Sequence, residues 1–360
     1  MIYHQTALAI SAFGILSNLF MTVWLARSRV ATTVNRLLAL ITFSDAVLMS
    51  LHFVYVIHFE LGEQKRCPID LLTLPWVIFQ LIYASISVYL RALTLWLSVA
   101  IALYRKTVLS RKTPLTKEKA SYALKLSFAV VASVSVMCIP IFVQYSVVEG
   151  PRAPENDTIC PGNHSAYYVL QHPSFVLWKN EFLVKVAFWT NGLFLKLVPC
   201  LLLSYFSMNV VILMYLRHLK RKRSLFRNTV LINNMKEKIS GRLNSTGQKR
   251  VRMPSSLILV IILFTTVLCE LPNTILSLMT GLWPDVLLKI YLSLSGVMDL
   301  LSLFSCTTTS ILCFIMSRML REALLMQFQG AFQDVMIWLT SIFWRIMWGR
   351  QSRFLRQDER

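Results

Sequence analysis

Apolar residues gather into seven long runs, separated by short polar blocks. The runs cover Thr6–Leu25, Leu37–Phe59, Leu72–Tyr104, Tyr122–Val148, Phe182–Tyr215, Ser255–Leu282 and Val286–Met316. Each is near or above the ~20 residues that cross a hydrocarbon core as a helix. Lipid offers no partner to a bare N–H or C=O, so a spanning run must close its own hydrogen bonds as a helix. A large buried helical core is the competing arrangement, and seven such runs in one chain weigh against it. The pattern therefore predicts an all-α membrane protein built as a seven-transmembrane helix bundle.

Composition agrees with the pattern. The chain of 360 residues is 56% hydrophobic and only 15% charged. Soluble domains run near one half and one quarter. The net charge of +20 would suggest nucleic acid in a soluble protein. Here the basic residues sit in blocks between the runs, as in the cytoplasmic loops of membrane proteins. Of the 37 Lys and Arg, 29 fall between runs one and two, three and four, five and six, or after run seven, counting Lys125 at the edge of run four. The other loops are acidic or mixed, with Glu60, Glu63, Asp70, Glu149, Glu155, Asp157, Glu181 and Asp285. This asymmetry puts the N-terminus outside and the C-terminus inside. No basic leader precedes the first run, which is expected to act as its own insertion signal.

The outer loops carry two glycosylation sequons, at Asn156 and Asn163. They also carry Cys67 and Cys160, which an oxidising compartment would allow to pair; two separate thiols are the alternative. Past run seven, Ser317 to Gln329 places Met319, Leu320, Ala323, Leu324 and Phe328 at helical spacing beside Arg318 and Arg321. That fits a short helix lying in the membrane interface. The chain thus divides into a seven-span domain, 1–317, and a cytoplasmic tail, 318–360. Val335 to Trp348 reads as a second interfacial segment, or as an eighth span that would carry the C-terminus outside.

Five ionisable residues fall well inside the runs: Asp45, Arg91, Lys196, Glu270 and Asp299. Each costs roughly 2.5–3.5 kcal/mol at mid-membrane, so each should face the bundle interior and find a partner. Arg91 lies mid-span, nearly four helical turns before Arg105. Glu270, two residues before Pro272, lies at a comparable depth. The two are expected to face each other as an intramembrane ion pair; separate partners, or a protonated Glu270, are the alternatives.

Several motifs resemble one receptor group. Run three contains Thr94-Leu95-Trp96-Leu97-Ser98-Val99-Ala100, ending in Tyr104-Arg105. Run five contains Phe194-Leu195-Lys196-Leu197-Val198-Pro199-Cys200, and run six Glu270-Leu271-Pro272. Run seven contains Met298-Asp299-Leu300-Leu301-Ser302-Leu303 and Ile311-Leu312-Cys313-Phe314-Ile315-Met316-Ser317-Arg318. Together, and in this order, they resemble the rhodopsin-like G-protein-coupled receptors, above all the invertebrate myosuppressin and FMRFamide-type neuropeptide receptors of nematodes. The chain departs from the wider class at Tyr104-Arg105-Lys106, where an acid usually precedes the arginine and a tyrosine follows it. It also has Thr309-Ser310-Ile311-Leu312-Cys313 where Asn-Pro-x-x-Tyr is usual, and Gln80 near the usual span-three cysteine.

The resemblance implies a receptor of the plasma membrane that binds a short peptide outside and a heterotrimeric G protein inside. An acid such as Asp299 or Glu270 would hold a ligand guanidinium in a bidentate pair; Asp299 pairing internally with Arg91 or Lys196 is the alternative. Trp189, Asn191, Phe194, Trp283 and Gln80 would wall the pocket. Pro199 and Pro272 would kink their spans and let the inner half of span six swing, so that Arg105 meets the G protein. Asp45 and Asn18 match residues that commonly hold sodium, or else pack as a hydrogen-bonded polar core. No phosphate loop, nucleophile elbow or metal cluster appears, so neither catalysis nor a cofactor is expected. A chemosensory or nonsignalling receptor of the same fold is the main alternative. A transporter is a further one, although no repeated half is visible and only 11 glycines occur.

Overall fold

The structure is a computed structural model. It describes residues 2–27, 32–62, 71–110, 120–150, 167–173, 178–236, 255–282 and 284–316. The elements are α1 (Ile2–Ala26), α2 (Thr33–Tyr55), α3 (Leu74–Ser110), α4 (Ala120–Phe142), β1 (Ser146–Glu149), β2 (Tyr168–Gln171), α5 (Trp178–Trp189), α6 (Val198–Lys236), α7 (Ser255–Leu282) and α8 (Pro284–Met316). A π-helical stretch, Val56–Glu60, prolongs α2, and another, Thr190–Leu197, joins α5 to α6. These elements supply the seven expected spans. Span five is α5, its π stretch and α6 together; span six is α7 and span seven is α8. Six described helices are long and apolar enough to cross a membrane, and span six adds a shorter apolar stretch, Val260–Leu276.

The helices solve two problems at once. Apolar side chains point outward, among them Leu16 at 71% exposed, Phe128 at 73% and Phe264 at 62%. In water this surface would be costly; against lipid tails it is not. Polar side chains inside the spans return their hydroxyls to their own backbone. Ser44 donates to the Leu40 carbonyl, Ser98 to that of Thr94, Thr266 to that of Ile262 and Thr309 to that of Ser305, all at 2.8–3.0 Å. Such a bond satisfies the hydroxyl without breaking the helix.

Span one shows the packing rule. Ala7, Ser11, Asn18, Met21 and Leu25 are all buried, at helical spacing along one face. Gly14 lies on the same face. A Cβ there would meet Met49 Sδ at 2.2 Å and Thr307 Cγ2 at 3.1 Å. Small residues allow such close helix approach inside a bilayer. Gly14→Val should therefore lower the melting temperature of the purified protein, by the 1–3 kcal/mol typical of overpacking. Melting at the wild-type temperature would mean that Met49 swings aside freely.

Two differences from the expected layout stand out. Span four ends at Phe142, and the chain from Ser146 turns into a strand. The β-branched pair Val147-Val148 lies opposite Leu170 and Val169 in an antiparallel hairpin, so its backbone is satisfied by β2 rather than by a helix. The all-α bundle thus carries one small hairpin. The amide of Tyr168 donates to the Leu72 carbonyl at 3.0 Å, tying that hairpin to the start of span three. The second difference is the pair of π stretches. Near the first, His4 Nδ1 meets Glu60 Oε2 at 2.8 Å and joins the outer ends of spans one and two.

The chain forms two compact units, Met1–Leu312 and Cys313–Arg360. Of the second, only residues 313–316 are described, all helical. Cys67, Cys160, Asn156, Asn163, Trp283 and the post-span segment from Ser317 onward lie outside the described residues.

Candidate functional site

A cavity of about 200 Å³ opens between spans three, five, six and seven. Span three contributes Tyr83, Ser87 and Arg91 at four-residue intervals, then Leu95 one turn deeper. Spacing by four keeps them on one helical face. Span five gives Asn191, Leu195 and Lys196; span six gives Glu270 and Asn273; span seven gives Met298 and Asp299. Four of the five intramembrane charges thus line one space.

Their pairing corrects the sequence expectation. Arg91 Nη2 donates to Asp299 Oδ1 at 3.1 Å. Glu270 lines the same cavity but forms no salt bridge among the described residues. The guanidinium is a planar fork whose donors take an acid only along fixed directions. Here one arm points across to span seven, while Arg91 Nε is buried without a hydrogen-bond partner among the described residues. Asp299 is therefore the internal counter-ion that had been the alternative reading. Tyr83, one of the lining residues, also accepts or donates a 2.9 Å bond with His52 Nδ1 of span two.

The expected aromatic walls do not gather here. Trp189 is 42% exposed and Phe194 48% exposed, and neither lines the cavity. The cause is the π stretch Thr190–Leu197. Its hydrogen bonds run from residue i to i+5. Residues five apart therefore share a face: Trp189 and Phe194 look outward, Asn191 and Lys196 inward. Gln80 is eleven residues before Arg91, three turns and about 16 Å higher on span three, so it stands above the cavity. Pro199 follows just beyond the π stretch. It cannot donate a backbone hydrogen bond, and a π turn is one way a helix absorbs such a gap. Pro272 sits inside a continuous span six, as does Pro140 inside span four.

A second, smaller cavity of about 20 Å³ lies deeper, lined by Asp45, Ser98, Glu270, Ser302, Ser305 and Thr309 among others. That is room for about one water-sized occupant. Asp45 is buried and hydrogen-bonded to the Cys306 thiol. Asn18, fully buried, donates to the Gly14 carbonyl at 2.9 Å and to the Cys306 carbonyl at 3.4 Å. Ser17 meets Ser310 at 3.0 Å, and Thr22 meets Thr42 at 2.9 Å. Spans one, two and seven are thus joined by a chain of polar contacts. Among the described residues no group of three His, Cys, Asp or Glu is placed to hold a metal.

The inner end of span three carries Tyr104, Arg105 and Lys106. Tyr104 is buried beside the ring of Tyr122, 5.8 Å away. Lys106 Nζ sits over two span-five rings, 5.1 Å from Tyr205 and 5.2 Å from Phe206. Arg217 donates to the Leu109 carbonyl just below. Lys106, unusual by sequence, thus binds span three to span five. Each cation–π contact is worth about 0.5–1 kcal/mol at an accessible site. Lys106→Gln should therefore lower the melting temperature slightly and leave ligand affinity unchanged; unaltered melting would make the contact incidental. Cys313 is the first residue of the second unit.

Residues 5–330 match the family described as "Serpentine type 7TM GPCR chemoreceptor Srw". The chain is also similar to "G-protein coupled receptor dmsr-1" of Caenorhabditis elegans, with 26% identity over 342 residues, 86% of this chain and 66% of that protein. It therefore spans just under two thirds of that relative's length. A family match over most of the chain, on a bundle of apolar spans, carries the assignment: this chain belongs to the serpentine 7TM GPCR chemoreceptor Srw family and is a multi-pass receptor of the plasma membrane.

Proposed function

We propose that the receptor binds a short extracellular peptide of the Arg-Phe-amide type in the cavity between spans three, five, six and seven, and activates a heterotrimeric G protein. One observation carries the ligand half. Glu270, 7% exposed, lines that cavity without an ion-pair partner among the described residues. A buried carboxylate in lipid is costly alone, and a guanidinium is its natural complement. The motifs of runs three, five, six and seven support the peptide class. The worm relative, a G-protein coupled receptor by name, supports the coupling half, with Arg105 at the inner end of span three as the contact residue.

A panel of short peptides ending in Arg-Phe-amide, applied to cells displaying the receptor, tests both halves. The expected result is saturable binding and stimulated nucleotide exchange. Arg105→Ala should abolish exchange and preserve binding. Peptide binding without exchange in the wild type would indicate a nonsignalling receptor. A second reading, a receptor for a small diffusible chemical, rests on the family's description as chemoreceptors. Surface expression without binding of any peptide would favour it.

A further inference from the structure

Arg91 and Asp299 neutralise each other across the cavity at 3.1 Å. That leaves two charges facing the same space, Lys196 of span five and Glu270 of span six. Neither forms a salt bridge among the described residues. Opposite charges that close on one another in a low-dielectric interior gain strongly from contact. Here they line one cavity and remain apart, so the space between them is shaped for something carrying both signs. A lone cation would satisfy Glu270 and meet Lys196 as a like charge. A lone anion would do the reverse. Asn191 adds a third polar pole: its Oδ1 is buried without a hydrogen-bond partner among the described residues, and the residue lines the same cavity.

We propose that the cavity binds a dipolar ligand end, with Glu270 taking a cationic group, Lys196 taking a carboxylate or strongly polarised carbonyl oxygen, and Asn191 accepting a ligand N–H. Lys196 is then the residue that distinguishes a ligand bearing that oxygen from a plain cation. A free carboxylate binds it best, and an amide carbonyl serves the same ammonium less strongly. This inference rests on the cavity assigned to the ligand above, but not on the ligand's being a peptide.

The test uses the full-length receptor in lipid nanodiscs and two matched probes, N-acetyl-arginine and N-acetylagmatine, which differ by one carboxylate. Binding is read as the rise in melting temperature with probe concentration. The wild type should half-saturate at a concentration at least tenfold lower for N-acetyl-arginine. Lys196→Met should erase that difference and Lys196→Arg should keep it, while Glu270→Gln should weaken both probes. Equal binding of the two probes by the wild type, no binding of either, or a preference that survives in Lys196→Met would overturn the proposal. The peptide reading fails separately. If Arg-Phe-amide peptides bind and signal while the probes show no carboxylate preference, the peptide reading stands and this one falls. If the preference holds and no peptide binds, the reverse is true.

Discussion

Arg91→Met is expected to destabilise the receptor by about 3 kcal/mol, the low end of what is lost when one partner of a buried ion pair is removed. The low end applies because Asp299 keeps 37% of its side chain exposed toward the cavity, against 16% for Arg91. The variant leaves the Asp299 carboxylate at membrane depth without its guanidinium. Asp299→Leu should cost at least as much, since it strands the more buried partner. The double variant Arg91→Met with Asp299→Leu removes both charges and should recover much of the loss, because an apolar pair of similar volume often replaces a buried ion pair without penalty. Melting curves of the three purified proteins decide the matter. Additive losses in the double variant would mean that the two residues do not act as a pair.

Glu270→Gln is expected to weaken binding of a cationic ligand by thirty- to a hundredfold. Removing one member of a buried charge pair at an interface costs about 2–3 kcal/mol or more, and each 1.4 kcal/mol is tenfold in affinity. Uncharged analogues, with citrulline in place of arginine, should lose little. Saturation binding of both ligands to both proteins supplies the comparison. An equal loss for the neutral ligand would assign Glu270 a packing role only.

The seven spans were legible because lipid removes choices. A run of about 20 apolar residues in a bilayer has one way to satisfy its backbone. The intramembrane charges were legible too, since each stands out against an apolar run. Their pairing was not. Arg91 has Glu270 and Asp299 within one cavity, and depth along a span does not reveal which acid the guanidinium points to. Lys196 was visible as a buried charge, yet its place on the cavity wall beside Asn191 was not. Tyr83, Ser87 and Asn273 went unnoticed although helical spacing from Arg91 and Glu270 would have found them: they lie two turns, one turn and about one turn away on the same faces. Trp189 and Phe194 differ for another reason: the resemblance implies them as pocket walls, and the π stretch Thr190–Leu197, which no residue type announces, turns them outward. The hairpin was hidden because Val147 and Val148 close an apolar run broken at its end only by Gln144 and Ser146.

The π stretch of span five also sets a rule for comparing this chain with others. A turn that uses an extra residue works like an insertion that leaves no loop behind. Deleting one residue between Thr190 and Leu197 would keep the helix and its apolar character. It would also turn everything on the outer side, Trp178 to Trp189, by about 100° relative to the inner half. Two receptors with nearly identical letters in this span would then present different side chains to the same ligand. Ligand preference in such a family can therefore change through a single-codon deletion that removes no contact residue.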